Sequence, residues 1–125
     1  MRVLILEDSE MSAYMFSFLM EKAGWATVVE GSLAAGIELV RNGGFDLVIQ
    51  DVHLDDSDTV DGITKMKAAT DVPVLVITAN GATAKECLGA GADGYITKPI
   101  GQEELLKAVQ ETLAKGPRRK DNEAY

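Results

Sequence analysis

Two kinds of hydrophobic pattern alternate along the chain. Five short apolar runs lack helical spacing, and runs of this kind are typical of strands buried on both faces of a parallel sheet. The second run is more polar than the others, which favours a place near the edge of the sheet. The strands are predicted at residues 2–6, 25–30, 45–51, 72–78 and 94–97.

The segments between these runs repeat their apolar residues at helical spacing. The first helix is predicted to begin after Ser9, its N-cap, and to stop at Gly24. Phe16 and Met20 fall off the main apolar stripe of this helix. The stripe itself is predicted to be the buried face and consists of Met11, Tyr14, Met15, Phe18 and Leu19.

Four further helices complete the pattern. Ser32 is the predicted N-cap of the second helix, which ends at residues 42–44. An acidic loop at residues 52–61 precedes a short third helix, the fourth is weakly indicated at 79–90, and the fifth covers 102–114. The residues predicted to face the core from these helices are Leu33, Ile37, Val40, Ile63, Met66, Leu105, Leu106, Val109 and Leu113.

The order of these elements predicts the fold class. Strands and helices alternate five times, which implies an α/β fold with a doubly wound, five-stranded parallel sheet and five helices on its two faces. We expect residues 1–115 to form one domain, because a chain of 125 residues suits a single domain. Residues 116–125 are rich in charge and are predicted to be a disordered tail.

The composition limits which partners and which cellular compartment we expect for this protein. A net charge of −8 argues against nucleic acid as a partner, because a phosphate backbone requires a basic surface. It suits a protein that holds a divalent cation or meets a basic partner. The single cysteine, Cys87, excludes an internal disulfide and indicates a reducing, cytoplasmic compartment. The sequence shows neither a signal peptide nor an apolar stretch of transmembrane length, so we expect no membrane partner.

Polar residues gather where the predicted strands end. Glu7, Asp8, Asp51, Thr78 and Lys98 each lie at the carboxyl end of a strand. Because these ends share one edge of a parallel sheet, we expect the five side chains to converge. Three carboxylates this close need a cation or a proton between them at neutral pH, and oxygen ligands of this kind suit Mg²⁺.

The residue types at this edge indicate phosphoryl transfer. Asp51 is the predicted nucleophile, and it would form an acyl phosphate. Lys98 would place a second positive charge beside the phosphoryl group, and Thr78 would donate a hydrogen bond to one of its oxygens. Catalysis of this kind depends on positioning and charge neutralisation.

Over residues 1–115 the chain resembles the receiver domain of two-component response regulators. Four motifs carry the resemblance, and the last is the most specific of them. They are Val-Leu-Ile-Leu-Glu-Asp at 3–8, Phe-Asp-Leu-Val-Ile-Gln-Asp at 45–51, Pro-Val-Leu-Val-Ile-Thr-Ala at 73–79, and Gly-Ala-Gly-Ala-Asp-Gly-Tyr-Ile-Thr-Lys-Pro at 89–99.

The resemblance implies a fold, a partner and an activity. The fold would be flavodoxin-like, with strand order 2-1-3-4-5. Asp51 would take a phosphoryl group from a histidine kinase or a histidine phosphotransfer protein, in a reaction that depends on Mg²⁺. The phosphorylated chain would signal through a protein–protein contact with a downstream target. It would phosphorylate and dephosphorylate itself without turning over a separate substrate, and so would not be an enzyme in the usual sense.

The resemblance also assigns individual roles. Glu7, Asp8, Asp51 and the backbone carbonyl of His53 would bind Mg²⁺. Thr78 and Lys98 would hold the phosphoryl oxygens, and Tyr95 would turn inward as a switch when Thr78 moves. His53 and Asn80 occupy positions that tune hydrolysis of the acyl phosphate in the family, and the Lys98–Pro99 peptide is usually cis there. Phe16 and Met20 are hypothesised to belong to the docking face for the phosphodonor.

One stretch departs from the family pattern. The family usually has a proline four residues after the acceptor and a glycine four residues after that. This chain has Asp55 and Thr59 in those places, and Gly62 comes three residues late. The extra acids, Asp55, Asp56, Asp58 and Asp61, are interpreted either as a solvated loop or as charge that alters Mg²⁺ affinity or partner choice.

Other functions remain open at this point. The chain could be an adaptor that no longer depends on phosphorylation, or a phosphate sink, on the same fold. A flavodoxin-like cofactor binder would need a phosphate-binding loop after the first strand, whereas Glu7 to Glu10 are mostly acidic. A phosphatase with an aspartyl nucleophile would place that residue after the first strand with another aspartate two residues on, which Asp8 and Glu10 match poorly.

Overall fold

Five parallel strands form one sheet in the order β2-β1-β3-β4-β5. The computed structural model describes residues 1–115, so the tail predicted at 116–125 lies outside the described residues. The strands are β1 Arg2–Leu6, β2 Ala26–Glu30, β3 Leu47–Asp51, β4 Val74–Thr78 and β5 Gly94–Thr97. The helices are α1 Glu10–Lys22, α2 Leu33–Arg41, α3 Asp61–Ala69, α4 Gly81–Gly89 and α5 Gln102–Lys115. The predicted fold class and strand order are confirmed.

The helices divide between the two faces of the sheet. Phe16 and Met20 of α1 and Leu105 of α5 pack on one face, against alternate residues of β1, β3 and β4. Residues of α2, α3 and α4 pack on the other face, and Cys87 is buried there. Because β1 lies between β2 and β3, the chain reverses direction across the sheet after β2. A crevice therefore opens beyond the carboxyl ends of β1 and β3, where folds of this type bind ligands.

Burial along the strands follows their place in the sheet. Every residue of β3 and β4 is buried, which matches their continuous apolar runs. The two outer strands, β2 and β5, contain no fully buried residue, and the prediction that the second strand lies near an edge is confirmed. The central strands thus hold the end of β3, and with it Asp51, in a rigid position.

Local signals at the helix ends agree with the sequence. The Ser9 and Ser32 side chains accept hydrogen bonds from the N–H groups of Ser12 and Ala35, as N-caps do. Gly24 follows α1 with a φ of 94°, a conformation that favours glycine. At the start of α3, a Cβ on Gly62 would stand 2.7 Å from Ser57 Oγ, so the close approach of the acidic loop to this helix favours glycine.

The buried face of α1 is the opposite of the predicted one. Phe16 and Met20 are 1% and 0% exposed, so they are core residues and cannot form a docking face. Most of the stripe predicted to be buried faces outward instead, and Met11, Tyr14 and Phe18 are 83%, 74% and 49% exposed. Only Leu19 of this stripe packs against the core, partly buried. The physical reason is that α1 has apolar residues on both faces. Ala13, Phe16 and Met20 also recur at helical spacing, so periodicity alone allows either face of α1 to be the buried one.

Candidate functional site

A lysine and two acids meet at the carboxyl ends of β1, β3 and β5. Lys98 Nζ lies 2.9 Å from Asp51 Oδ2 and 3.3 Å from Glu7 Oε2. Glu7 and Asp51 are 4% and 5% exposed, whereas the Lys98 side chain is 30% exposed. The sheet places all three because Asp51 ends β3, Glu7 follows β1 and Lys98 follows β5. The cluster therefore lies at the mouth of the crevice, open to solvent on the lysine side.

The Asp51 carboxylate is held in its anionic form. Burial acts to raise the pKa of Asp51, but hydrogen bonds from Glu7, from the His53 N–H and from Lys98 outweigh it, so the pKa lies below its usual value. The His53 N–H lies 3.0 Å from Asp51 Oδ1, which leaves Lys98 on the other oxygen. An anionic carboxylate with both oxygens oriented is suited to act as a nucleophile.

The pKa of Glu7 is shifted in the opposite direction to that of Asp51. Burial, together with its hydrogen bond to Asp51 and the charge of Asp51, raises the pKa of Glu7 to about 7. The N–H of Ser9, 3.1 Å from Glu7 Oε1, and the charge of Lys98 act against this rise without cancelling it. For Lys98, burial acts to lower the pKa of the ammonium, but its contacts with Asp51 and Glu7 raise it overall. The three groups together therefore hold a proton that a divalent cation could replace.

The raised pKa of Glu7 makes the stability of the metal-free protein depend on pH. Between pH 4.5 and 7 the unfolded chain loses the Glu7 proton while the folded chain keeps it, so stability falls as pH rises through this window. We expect a loss on the order of 2–3 kcal/mol from this group between pH 4 and pH 8. The pKa of Asp51 lies below this pH window in the unfolded chain and lower still in the folded chain, so Asp51 does not offset the loss. Urea unfolding in the presence of a chelator, followed by the fluorescence of Trp25, measures it.

Glu7→Gln removes the ionisable group and should flatten this part of the pH profile. Glu38→Gln, an exposed acid on α2, makes the same charge change and should leave the profile unaltered. Equal pH profiles for wild type and Glu7→Gln would show that the proton is not on Glu7.

The other residues of the predicted site lie at the same edge but make different contacts. Thr78 ends β4 and is 1% exposed, and its Oγ1 accepts the N–H of Asn80 at 3.2 Å. Asn80 caps α4, because its side chain accepts the N–H groups of two residues in the first turn. The backbone N–H of Lys98 donates to Thr78 O at 2.9 Å, and the Lys98–Pro99 peptide is cis. The structure thus joins Thr78 and Lys98 through the backbone.

Tyr95 and the His53 side chain face away from the cluster. Tyr95 is 41% exposed and lines a surface depression of about 340 Å³ between β5 and α5, with Ala108 and Thr112. The His53 side chain is exposed, and this residue reaches Asp51 through its backbone. The tyrosine therefore lies on the surface in this structure, and its role as a switch stays a prediction.

The predicted magnesium ligands converge in part. Glu7 and Asp51 share the cluster, but Asp8 is exposed, and within residues 1–115 no three acidic, histidine or cysteine side chains are close enough together to hold a metal ion. The donor set still suits Mg²⁺, because two buried carboxylates supply oxygen ligands, and loss of the proton that they retain would leave negative charge for the ion to balance. Asp8 follows Glu7 directly in the chain.

Two features near the cluster were not foreseen in the sequence. A largely apolar groove of about 500 Å³ leads from Lys98 to Met15 and Phe16 of α1. On the other side, the Asp56 carboxylate binds the N-terminus of α2. The groove could have been predicted from the sequence only if the buried face of α1 had been assigned correctly. The Asp56 contact spans 23 residues and has no local sequence signal.

Comparison with known proteins supports the resemblance. The family model for the response regulator receiver domain matches residues 3–110. RegX3, a sensory transduction protein of Mycobacterium tuberculosis, is 37% identical over 117 residues, which are 91% of this chain and 51% of that protein. The DNA-binding response regulator MtrA of Mycobacterium leprae is 32% identical over 124 residues, 98% of this chain and 53% of MtrA. The chain thus spans about half the length of the curated relatives that it matches.

Solved structures share the fold. A putative response regulator from Chloroflexus aurantiacus superposes with a TM-score of 0.83 at 25% identity, covering 90% of this chain and 97% of its own. The receiver domain of a sensor histidine kinase from Pseudomonas aeruginosa, with a magnesium ion coordinated in its active-site cleft, gives a TM-score of 0.81 at 20% identity, covering 90% of this chain and 97% of its own. Within residues 1–115, no helix is both long and apolar enough to cross a membrane. The family match over most of the chain, the related sequences and the shared fold together show that this chain belongs to the response regulator receiver domain family.

Proposed function

We propose that this chain is a phosphorylation-controlled switch in which Asp51 accepts a phosphoryl group from a phosphohistidine. The observation that carries the proposal is the buried Asp51 carboxylate, held 2.9 Å from the Lys98 ammonium at the open edge of the sheet. In the transfer, an Asp51 oxygen forms a bond to phosphorus while the phosphorus–nitrogen bond of the donor breaks. The donor nitrogen keeps the electron pair, and the ring leaves as a neutral imidazole when its other nitrogen carries a proton.

The chain's own residues would assist this step by position and charge. The Lys98 ammonium lies beside Asp51, where it can pair with the oxygens of the incoming group. The Thr78 hydroxyl, at the end of the neighbouring strand, is proposed to donate to another of these oxygens. Glu7, Asp8, Asp51 and the His53 carbonyl are the proposed Mg²⁺ ligands. The bound ion would supply the positive charge that lets an anionic carboxylate meet an anionic phosphoryl group.

The output is proposed to follow from Thr78 and Tyr95. Movement of Thr78 toward the phosphoryl group would vacate space that Tyr95, now on the surface, could enter, which shifts the population between two states. His53 and Asn80 are proposed to tune hydrolysis, since the His53 N–H donates to Asp51 and the Asn80 N–H donates to Thr78. Because relatives such as MtrA are DNA-binding regulators, the expectation that nucleic acid is not a partner stays a prediction. The cytoplasmic location also stays a prediction.

Labelling with a small phosphodonor tests the proposal directly. Incubation with acetyl phosphate and Mg²⁺ should add one phosphoryl group, seen by intact mass, and hydroxylamine should remove it as expected for an acyl phosphate. A chelator should suppress the labelling. Absence of any mass increase under these conditions would contradict the proposal.

The phosphodonor is proposed to dock on the outward face of α1, formed by Met11, Tyr14, Met15 and Phe18. These side chains are exposed, and Met15 also lines the groove that leads to Lys98. The rings of Tyr14 and Phe18 stack with centroids 6.4 Å apart, which orders part of this face. An apolar face joined by a groove to the lysine that contacts Asp51 suits a protein donor that must bring its histidine to this carboxylate.

Serine at both Met11 and Tyr14 should slow transfer from a phosphorylated histidine phosphotransfer domain about tenfold, because two anchors of the contact are lost. Labelling by acetyl phosphate should not change, because this donor needs no docking surface. Val29→Ser, on the exposed edge strand β2, removes a comparable apolar side chain elsewhere and serves as the control. Equal transfer rates for the double variant and the control would exclude this face.

A further inference from the structure

The loop between β3 and α3 is bound to the start of a different helix. Asp56 accepts three hydrogen bonds at the N-terminus of α2: Oδ1 from the Leu33 N–H at 2.7 Å, and Oδ2 from the Ala34 N–H at 3.0 Å and the Ser32 hydroxyl at 3.1 Å. Hydrogen bonds from the Leu33 and Ala34 N–H groups hold the pKa of Asp56 below its usual value. The carboxylate is therefore anionic where the helix has free N–H groups and a partial positive charge.

This contact adds to the local cap of α2. Ser32 already accepts the N–H of Ala35 at 3.3 Å. With Asp56 in place, the N–H groups of Leu33, Ala34 and Ala35 all have acceptors. The Asp56 contact thus links two segments 23 residues apart in the chain and is not needed for the local cap alone.

Further hydrogen bonds connect the Asp56 turn with Asp51, the proposed phosphoacceptor. Leu54 is 6% exposed, and it and Ser57 exchange backbone hydrogen bonds of 2.7 and 3.3 Å around the Asp55–Asp56 turn. His53, one residue before Leu54, donates its N–H to Asp51 Oδ1 at 3.0 Å. The position of the His53 peptide is therefore fixed on one side by β3 and on the other by a turn that Asp56 attaches to α2.

We propose that Asp56 is a positioning residue, which holds the first part of the acidic loop, residues 52–57, against α2. It thereby keeps the N–H of the His53 peptide on the Asp51 carboxylate. The inference rests on the proposed function for its consequence in phosphoryl transfer, but the positioning itself can be measured without it. A proline in this loop would restrict the backbone through its ring. This chain has Asp55 four residues after Asp51, and a carboxylate that reaches across to another helix restrains the loop instead.

The test compares Asp56→Ala with Asp58→Ala, an exposed aspartate of the same loop whose replacement changes the charge equally. In Asp56→Ala, amide hydrogen exchange at Leu33, Ala34 and His53 should each rise about tenfold, because charge-assisted hydrogen bonds are lost or loosened. The rate of labelling by acetyl phosphate should fall several-fold, and the Mg²⁺ concentration needed for half-maximal amide shifts should rise. Asp58→Ala should match wild type in every measurement.

Asp56→Asn provides a second, milder variant, because its amide keeps one acceptor for the α2 N–H groups. Its effects should lie between those of wild type and Asp56→Ala, which guards against a general loss of folding. Faster exchange at Leu33 and Ala34 with unchanged exchange at His53 would overturn the inference, and so would unchanged exchange at all three. If the wild type is never labelled, the proposed function fails, and the His53 exchange still decides whether Asp56 positions the loop.

Discussion

Asp51→Asn should abolish labelling by acetyl phosphate, lowering its rate by a factor of at least about 100. The amide has nearly the shape of the carboxylate but carries no negative charge, so it cannot act as the nucleophile. Lys98 Nζ, 2.9 Å from Asp51 Oδ2 in the native chain, would keep Glu7 as its remaining partner. The variant should therefore fold while losing its reaction, and intact mass after incubation with Mg²⁺ and the donor measures the loss.

Asp58→Asn is the matched control for this substitution. It removes one negative charge from an exposed position in the loop that follows β3, and it should be labelled at the wild-type rate. If Asp51→Asn were labelled as fast as this control, another acceptor would have to carry the phosphoryl group. Labelling that persists on Asp8, located by peptide mapping, would be one such result and would reverse the roles that we propose for the two acids.

Phe16→Ala should lower the free energy of unfolding by about 3–5 kcal/mol. The ring is 1% exposed and packs between α1 and the face of the sheet that α5 also covers, so its loss leaves a cavity in the core. The outward face of α1 offers a control in the same helix. Phe18→Ala removes an identical ring that is 49% exposed, and it should cost less than about 1 kcal/mol.

Urea unfolding of both variants, followed by Trp25 fluorescence or far-UV circular dichroism, makes this comparison. A larger loss of stability from Phe18→Ala than from Phe16→Ala would mean that α1 packs through its other face. The same pair bears on docking, because Phe18 belongs to the proposed contact with the phosphodonor and Phe16 does not.

The apolar runs were sufficient to predict the sheet because burial on both faces leaves a strand little choice of residue. Runs such as 47–49 and 74–77 are apolar at every position, since helices cover the sheet on both sides. The alternation of strands with helices then predicts parallel order. The carboxyl ends of parallel strands share one edge, so the neighbourhood of Asp51 and Lys98 could be expected from residues 47 apart in the chain.

The face of α1 could not be predicted in the same way. Helical periodicity predicts which residues share a face, but it does not say which face meets the sheet when both are apolar. Packing decided in favour of Phe16 and Met20, which fit with Leu105 and Val109 of α5 into one cluster. The outward residues were left exposed, with Met15 at the groove that leads to Lys98, and this placement is the reason for the docking role that we propose.

The sequence by itself determined the class of fold, the strands that converge and the residue types that meet at their ends, because these depend on burial periodicity and on chain order. The tertiary structure alone decided how charge is shared among Glu7, Asp51 and Lys98, since a proton shared between two acids depends on distances and desolvation. It alone also showed Asp56 at the start of α2. That contact joins segments with no local pattern in common, and only the packing of the folded chain brings them within hydrogen-bonding distance.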